Sequence, residues 1–376
     1  MSSKPESLYR GRQRALAAYL EAQQLDAVLL VDLEEVRNRS VRYLCGHPQD
    51  ALLIITAVGR SILIPWDTIL AERTAVSDQV VPYTDFGRDL NAAARTLLTG
   101  EKCTRVEVSE KISYPRAVEL INELASLGME AVCRRGGVDA HLLELRRRKE
   151  AAEITALRRA GEISDAICGE LPALLASGPL PEHEVAIFIE RRARELGAEG
   201  LGFQILAAAP ERSFAIHTFP NITSALFGAP GLSLVDFGIR VKGYTSDATV
   251  TLVRGRTDAL QERMVRAVEE AYALALELIR PGAYPAEVAR AVDELFASRG
   301  FRMPHSLGHG IGLDTHEPPL LRASVGSSPC FEEDMVIALE PGLYDSRAGG
   351  VRWENDLLLI PGGTEPLTHT AIIRLD

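Results

Sequence analysis

Residues 232–253 read LSLVDFGIRVKGYTSDATVTLV, and residues 335–360 read MVIALEPGLYDSRAGGVRWENDLLLI. Each segment has two arms rich in apolar and β-branched residues on either side of a glycine-containing turn, which is the pattern of a β-hairpin. Each arm also contains acidic residues. These two hairpins decide the fold of the second half of the chain.

The acidic residues of each hairpin are placed to face one another. Asp236 and Asp247 lie at equal distances from the middle of the first turn, and Glu340 and Glu354 lie at equal distances from Arg347 in the second. Such antiparallel partners stand opposite each other on one face, with Cβ atoms about 5 Å apart. Facing carboxylates repel, and burying them unpaired is costly. One pair alone would indicate a surface pair of acids, whereas two pairs in one domain favour a cation between them.

Three of the eight histidines lie between the two hairpins, at His305, His309 and His316. The glycine-rich string around His309 is a weak match to a phosphate-binding loop, because no helix start follows it. We interpret these glycines as allowing the backbone to come close to a metal, with His309 as a nitrogen ligand. Four carboxylates and an imidazole favour two ions of Mn(II), with Co(II), Fe(II) or Zn(II) as alternatives, that share an activated water.

The composition is that of an ordinary globular protein, with 46% hydrophobic and 25% charged residues. A net charge of −11 disfavours nucleic acid as a partner. No apolar run approaches the roughly 18 residues of a membrane span, and residues 1–7 lack the apolar core of a signal peptide. The five cysteines are scattered, which is typical of reduced thiols. We therefore expect a cytoplasmic protein that binds neither nucleic acid nor a membrane.

The length of 376 residues predicts at least two domains, and alternating helices and strands predict a mixed α/β (α+β) class. Residues 1–137 are predicted to form a small α/β domain, and residues 138–376 the larger domain that carries the hairpins. Gly136-Gly137 marks the boundary. The basic run at residues 146–149 is interpreted as the solvated start of a helix rather than as a binding patch.

Apolar periodicity and turn signals predict the individual elements. The predicted helices cover residues 6–24, 115–127, 150–176, 181–197, 262–280 and 285–299. The predicted strands cover residues 27–31, 52–58, 61–65, 105–108, 232–240, 244–253, 335–341 and 351–360, with a short strand near Ala131.

Four motifs of the second domain resemble those of the metallopeptidases with the pita-bread fold. They are DFG…GYTSD (236–247), HSLGHGIG…HE (305–317), EPGLY (340–344) and GGVRWEN (349–355). That family includes Xaa-Pro aminopeptidases, Xaa-Pro dipeptidases (prolidases), methionine aminopeptidases and the related creatinases. The resemblance extends over residues 149–376 and, more loosely, to a creatinase-like N-terminal domain.

The resemblance implies five ligands for two divalent metal ions: Asp236, Asp247, His309, Glu340 and Glu354. Asp247 and Glu354 resemble the pair of carboxylates that bridges both ions. Glu340 also resembles the group that moves a proton from the bridging water to the leaving nitrogen.

The same resemblance implies roles for six further residues. His316 resembles the histidine that stabilises the tetrahedral oxyanion, and His305 is expected to act in catalysis beside it. His217 and His305 resemble histidines that line the substrate pocket, and His316 and Arg352 are also expected to contact substrate. The residues expected to hydrogen-bond the bridging carboxylates and orient them are Tyr344, Arg352 and Thr249.

The activity implied by the resemblance is hydrolysis of Xaa-Pro bonds, in dipeptides or at peptide N-termini, by a hydroxide that bridges two metal ions. The small peptide substrate and a homodimeric state are implied with it. Two alternatives stay open: a hydrolase of another small amide or C–N bond, and a catalytically silent binding module, which the complete ligand set disfavours. The chain departs from prolidases and Xaa-Pro aminopeptidases at Val250, where they have arginine, and at Ile216, where proline usually precedes the histidine.

Overall fold

The computed structural model describes residues 6–324 and 329–375. Contacts divide the chain into two compact units, Met1–Leu145 and Arg146–Asp376. Both units combine helices with β-sheets, so the predicted mixed α/β class is confirmed. Among the described residues, no helix has both the length and the apolar character needed to cross a membrane.

The first unit is built around one six-stranded sheet. Its helices are α1 (Glu6–Ala22), α2 (Arg39–Cys45), α3 (Thr68–Thr74), α4 (Leu90–Gly100) and α5 (Tyr114–Ser126), with a 3₁₀ turn at Tyr83–Phe86. Its strands are β1 (Ala27–Asp32), β2 (Ala51–Thr56), β3 (Ser61–Pro65), β4 (Gln79–Val80), β5 (Arg105–Val108) and β6 (Glu130–Val132). They are ordered β4-β3-β2-β1-β5-β6, with β2 antiparallel to both of its neighbours. The predicted β2–β3 hairpin is confirmed.

The helix α6 (Val138–Arg147) begins directly after the predicted domain boundary, and the division between the two units falls inside it. The remaining helices are α7 (Ala151–Leu174), α8 (Glu182–Glu195), α9 (Ala259–Leu278) and α10 (Pro285–Ser298). The remaining strands are β7 (Leu180–Pro181), β8 (Gly200–Leu201), β9 (Leu206–Ala208), β10 (Leu226–Phe227), β11 (Gly231–Phe237), β12 (Ile239–Val241), β13 (Tyr244–Thr245), β14 (Ala248–Arg254), β15 (Gly308–Gly310), β16 (Glu317–Leu321), β17 (Val336–Leu339), β18 (Gly342–Asp345), β19 (Gly349–Arg352), β20 (Asn355–Ile360), β21 (Gly363–Pro366) and β22 (Ile373–Leu375).

Two sheets of the second unit carry its two cores. The four-stranded sheet β22-β14-β11-β9 shares a core with α7 and α8, which includes Ile163, Phe188 and Val250. The five-stranded sheet β16-β15-β17-β20-β21 shares a second core with α9 and α10, which includes Val268 and Leu359. Burial of these apolar side chains, at roughly 25 cal/mol per Å², is the main force that holds the helices on the sheets.

The second predicted hairpin has the predicted register. Strand β17 pairs with β20 from Val336 opposite Leu358 to Leu339 opposite Asn355, and β18 pairs with β19 around Arg347. Both ladders are therefore symmetric about that residue. Glu340 and Glu354 lie where one ladder ends and the next begins.

The first hairpin differs from its predicted register by two residues. Asp236 stands opposite Thr249 rather than Asp247, and the whole hairpin is centred on the Lys242-Gly243 bond. A shift of two keeps every side chain on its face, so both aspartates still point to the same side of the sheet. Asp247 lies in the break between β13 and β14.

The interpretation of residues 146–149 as a solvated helix start is wrong. The run lies at the end of α6 and before α7, and only Arg148 is exposed. Arg146 and Lys149 bind the buried carboxylate of Glu317, and Arg147 binds Glu332. Their partners lie far away in sequence, so the run by itself gave no sign of burial.

A close approach of α7 to the chain after β21 yields a test of this packing. A Cβ atom on Gly161 would overlap the carbonyl oxygen of Leu367, whereas one on Gly169, in the same helix, would meet no atom within 4 Å. We expect Gly161→Ala to lower the free energy of unfolding by about 1–3 kcal/mol. Gly169→Ala should raise it by up to about 1 kcal/mol through helix propensity. Urea denaturation of both variants measures the difference, and equal effects would contradict the packing.

Candidate metal centre and active site

The predicted ligands line one cavity of about 430 Å³ in the second unit. Both hairpins switch from one ladder to another beside their acidic residues, which frees the carboxylates to turn into this space. The predicted residues that line the cavity are Asp236, Asp247, His309, Glu340 and Glu354, together with His217, His305, His316 and Arg352. Tyr344 and Thr249 contact this set from behind.

His309 enters the cavity from β15, between β16 and β17. A Cβ atom on Gly308 would overlap the carbonyl oxygen of Ala338, and one on Gly310 would overlap that of Pro318. These glycines therefore allow the strand to pack between its neighbours. Strand packing is sufficient to explain these glycines, and the close approach of the backbone to a metal stays a prediction.

The imidazole of His309 presents a lone pair to two carboxylates. Its Nδ1 lies 3.0 Å from the carbonyl oxygen of Gly310, which can only accept, so Nδ1 carries the proton. Its Nε2 lies 3.8 Å from Oδ2 of Asp247 and 3.7 Å from Oε1 of Glu340. Burial and the neighbouring His316 lower the pKa of His309 to about 4. The ring is therefore neutral near pH 7.

Two aspartate oxygens in the cavity accept no hydrogen bond. Oδ1 of Asp236 and Oδ1 of Asp247 are buried and have no hydrogen-bonding partner among residues 6–324 and 329–375. Asp247, His309 and Glu354 each offer a ligand atom within 4.8 Å of the others. Buried acceptors without donors are costly, and a cation supplies what they lack. The residues present thus fit the divalent ions that the sequence predicts.

The carboxylates of the cavity also raise the pKa values of their neighbours. Burial, and then the charges of Glu354 and Asp236, raise the pKa of Asp247 well above its usual range, and burial followed by Glu340 and Asp236 does the same for Glu354. Burial raises the pKa of Glu340 to about 8, although the charge of Arg352 opposes it. A divalent cation would reverse these shifts because it favours the ionised form.

Arg352 is the guanidinium that links the two hairpins. Only 2% of its surface is exposed. Its Nη2 donates to Oδ2 of Asp236 at 2.5 Å, and its Nε donates to Oγ1 of Thr249 at 3.0 Å. The Thr249 hydroxyl in turn donates to Oε2 of Glu354 at 2.6 Å. Thr249 thus bonds a predicted bridging carboxylate, as expected, whereas Arg352 was expected to bond one and instead orients Asp236.

The hydroxyl of Tyr344 continues this network away from the carboxylates. It accepts from Nη1 of Arg352 at 2.8 Å and lies 3.2 Å from Nε2 of His305. Nδ1 of His305 must donate to the carbonyl oxygen of Ser306, 2.7 Å away, so the Tyr344 hydroxyl donates to Nε2. Tyr344 was expected to bond a bridging carboxylate, and it instead holds Arg352 and His305.

The two remaining histidines reach the cavity from different segments. His316 ends the loop between β15 and β16, with its ring centre 4.2 Å from that of His309. Burial, and then the charge of His217, lower the pKa of His316. His217 lies on the segment between β9 and β10. Both side chains line the cavity wall.

The segment that carries His217 is tied down by a buried acid that the sequence analysis missed. Glu182, with none of its surface exposed, accepts from the backbone N–H groups of Ala209 at 2.8 Å and Thr223 at 2.6 Å. It also binds Arg212, whose guanidinium reaches the carbonyl oxygen of Pro220. The first turn of α8 thus closes the base of this segment.

Asp356 is a second acid that the sequence analysis missed. Its Oδ2 accepts from the backbone N–H of Asp247 at 2.9 Å, and only 1% of its surface is exposed. It follows Glu354 by two residues. Since side chains two apart in a strand share a face, that spacing was the available signal.

Val250 is not among the residues that line the cavity. The hydroxyls of its neighbours Thr249 and Thr251 point towards the second hairpin. They donate to Oε2 of Glu354 and to the carbonyl oxygen of Arg352, respectively. Val250 points the opposite way, into the core shared with α7 and α8. Of the two positions at which this chain departs from prolidases, Val250 is therefore turned away from the candidate ligands, whereas Ile216 lines the cavity.

Two family models together match residues 12–361 of the chain. The model of metallopeptidase family M24 matches residues 155–361, and that of the creatinase/prolidase N-terminal domain matches residues 12–165. The Xaa-Pro dipeptidase of Pyrococcus horikoshii is 28% identical over 361 residues, which are 95% of this chain and 96% of that protein. The uncharacterized peptidase YqhT of Bacillus subtilis is 33% identical over 229 residues, which are 60% of this chain and 64% of that relative.

The fold agrees as well. The crystal structure of the prolidase from Pyrococcus horikoshii OT3 superposes with a TM-score of 0.85 at 25% identity, covering 96% of this chain and 99% of that one. The M24 match spans more than half of the chain and contains all five predicted ligands. The resemblance inferred from the motifs is thereby confirmed, and the chain belongs to metallopeptidase family M24, with a creatinase/prolidase N-terminal domain.

Proposed function

We propose that this protein is a two-metal peptidase that hydrolyses Xaa-Pro bonds. The observation that carries the proposal is the set of potential metal ligands around one cavity. Within the described part of the chain, two of its carboxylate oxygens have no hydrogen-bond partner, and the neutral imidazole of His309 directs its lone pair inward. Asp236, Asp247, His309, Glu340 and Glu354 would hold the ions. Oxygen-rich donors favour Mn(II) over a structural zinc.

When bound, the two ions would polarise the substrate carbonyl and lower the pKa of a water molecule so that it attacks as hydroxide. Glu340 would serve as the general acid–base group of the cavity, accepting a proton from the attacking water and passing it to the leaving nitrogen. His316 is neutral near pH 7 and donates its N–H to the developing oxyanion. His305, held by Tyr344, and His217 contact the bound peptide.

Three points support an Xaa-Pro substrate. The apolar residues Phe203, Leu206 and Ile216 line part of the cavity, where a pyrrolidine ring can pack. The amide before proline has no N–H, so a peptidase for it needs no acceptor for that group. The Xaa-Pro dipeptidase of Pyrococcus horikoshii also matches nearly the whole chain. The homodimer and the cytoplasmic location stay predictions.

A panel of peptides tests the substrate class. With Mn(II) present, we expect turnover of Xaa-Pro dipeptides or of tripeptides with proline second, and at least about tenfold lower kcat/KM when alanine replaces proline. Steady-state assays of the paired peptides measure this ratio and separate dipeptidase from aminopeptidase activity. Cleavage of other small amides, with no turnover of either proline series, would favour the alternative hydrolase.

Removing the metal should make stability depend on pH. A carboxyl such as Glu340, whose pKa rises from 4.5 to about 8 on folding, stabilises the folded state below pH 4.5. That stabilisation is lost as the pH rises towards 8, because the unfolded chain releases its proton first. We expect the melting temperature of chelator-treated protein to fall by more than about 3 °C between pH 5 and pH 8. Calorimetry across this range measures the change.

Adding Mn(II) back is the control for this experiment. At 100 times its dissociation constant, a bound ion stabilises the folded state by roughly 2.7 kcal/mol and should flatten the pH dependence. Elemental analysis of the reconstituted protein should find about two ions per chain. Fewer than one ion per chain, or the same pH profile with and without metal, would refute the metal centre.

The histidines of the cavity should separate by kinetic role. If His316 stabilises the oxyanion only in the transition state, His316→Ala should lower kcat and kcat/KM alike, by about 10²–10³. His217→Ala should mainly raise KM, because that side chain contacts substrate before and during reaction. Steady-state kinetics on one Xaa-Pro peptide measures both.

His369 provides a matched control, because its side chain is 65% exposed and pairs with Asp165 outside the cavity. His369→Ala should keep both constants within about twofold. If His316→Ala and His217→Ala lower only the melting temperature and leave the kinetic constants unchanged, both histidines are structural.

A further inference from the structure

A buried cluster of charges lies behind the loop that carries His316. Glu317 follows His316 directly, and only 4% of its surface is exposed. Its carboxylate accepts from Nζ of Lys149 at 3.0 Å, from Nη2 of Arg146, and from the backbone N–H of Asp314 at 3.1 Å. Both basic side chains are buried as well. These charges take no part in the reaction described above, because none of them lines the cavity.

The segment 311–317, here named the His316 loop, folds around the carboxylate of Glu317. A Cβ atom on Gly312 would lie 2.8 Å from both carboxylate oxygens, so the backbone packs directly against them. Nη2 of Arg146 also donates to Oδ2 of Asp314 at 2.8 Å. Arg146 therefore binds the loop at two residues, Asp314 and Glu317, and the carboxylate of Glu317 lies at the centre of the loop.

Adjacent residues of an extended chain point in opposite directions. Glu317 points into the charge cluster, and His316 points into the cavity beside His309. Burial alone would raise the pKa of Glu317, but the charges of Arg146 and Lys149 lower it to about 2. The carboxylate is therefore ionised at working pH, and displacing it would leave buried charges unpaired, which is strongly unfavourable.

We propose that Glu317, held by Arg146 and Lys149, is a positioning residue that fixes His316 at the cavity wall. Any outward movement of the loop must pull Glu317 from its two cations, so the orientation of the imidazole is maintained by an ion cluster on the far side of the backbone. The kinetic consequence rests on the peptidase function proposed above.

A double-mutant cycle tests whether Glu317 acts through His316. Glu317→Gln keeps the side-chain volume and removes the charge. We expect it to lower kcat by about tenfold with KM within about twofold, because a misplacement near 1 Å is enough for such a loss. In the His316→Ala background the same change should lower kcat by less than about twofold, since the group that it positions is gone.

Glu332→Gln is the matched control. Glu332 pairs with Arg147 and Arg148 of the same basic run, whereas Glu317 pairs with Arg146 and Lys149. We expect Glu332→Gln to leave kcat within about twofold in both backgrounds. An equal loss of kcat for Glu317→Gln with and without His316 would overturn the proposal, because it would indicate an effect on the fold as a whole.

A spectroscopic measurement separates this proposal from the peptidase function. In protein with ¹³C-labelled histidine, the His316 resonance is identified by its loss in His316→Ala. It should shift or broaden in Glu317→Gln and stay in place in Glu332→Gln. An unmoved resonance would overturn the positioning role even if the enzyme is active. Absence of Xaa-Pro cleavage by the unmodified protein would refute the peptidase function and leave this measurement valid.

Lys149 offers a second route if Glu317→Gln does not fold. Lys149→Met leaves Arg146 paired with Glu317, so the carboxylate keeps one of its two cations. In Lys149→Met, kcat and the His316 resonance should change in the same direction as in Glu317→Gln but by less. Lys149→Arg should restore both to their wild-type values. Wild-type kcat and an unmoved resonance in Lys149→Met would overturn the proposal.

Discussion

The mutual repulsion of four carboxylates in one cavity, two of them buried and two half-buried, is the constraint on which the active-site half of the molecule depends. Asp236, Asp247, Glu340 and Glu354 share one cavity, and Arg352 is the guanidinium among them. One positive charge cannot balance four negative ones, and in a medium of low dielectric this imbalance is costly. The strand breaks turn the carboxylates into the cavity, and the imidazole of His309 adds its lone pair. Hydrogen-bond acceptors are thus concentrated where donors are scarce. A protein arranges its groups in this way when a cation completes them.

The sequence predicted this convergence, but only one of the two registers. The second hairpin is symmetric about Arg347, so counting outward from the turn gave the right partners. In the first, both ladders are centred on the Lys242-Gly243 bond, one residue beyond the midpoint between Asp236 and Asp247. A Cβ atom on Gly238 would overlap the carbonyl oxygen of Ser246, a close approach that turn counting does not reveal. The face was still right because the shift is even.

The positions that sequence reasoning misjudged are those whose partners lie far along the chain. The basic run at residues 146–149 has the composition of an exposed segment, and its burial depends on Glu317 and Glu332. Tyr344 was assigned to a carboxylate, and its contact with His305 joins residues 39 positions apart in the chain. Local periodicity determines which residues share a face, whereas tertiary packing determines which of them touch.

The crossed pairing of the two hairpins also bears on how the domain folds. Asp236 of the first hairpin takes its counter-charge from Arg352 of the second, and Glu354 of the second takes its hydrogen bond from Thr249 of the first. Neither hairpin alone can therefore bury its acids, and each keeps them hydrated until the other arrives. The docking of the hairpins becomes an all-or-none event, because a half-assembled domain would expose the polar groups that the finished one hides. The groups arranged for chemistry thus also make the folding of this domain cooperative.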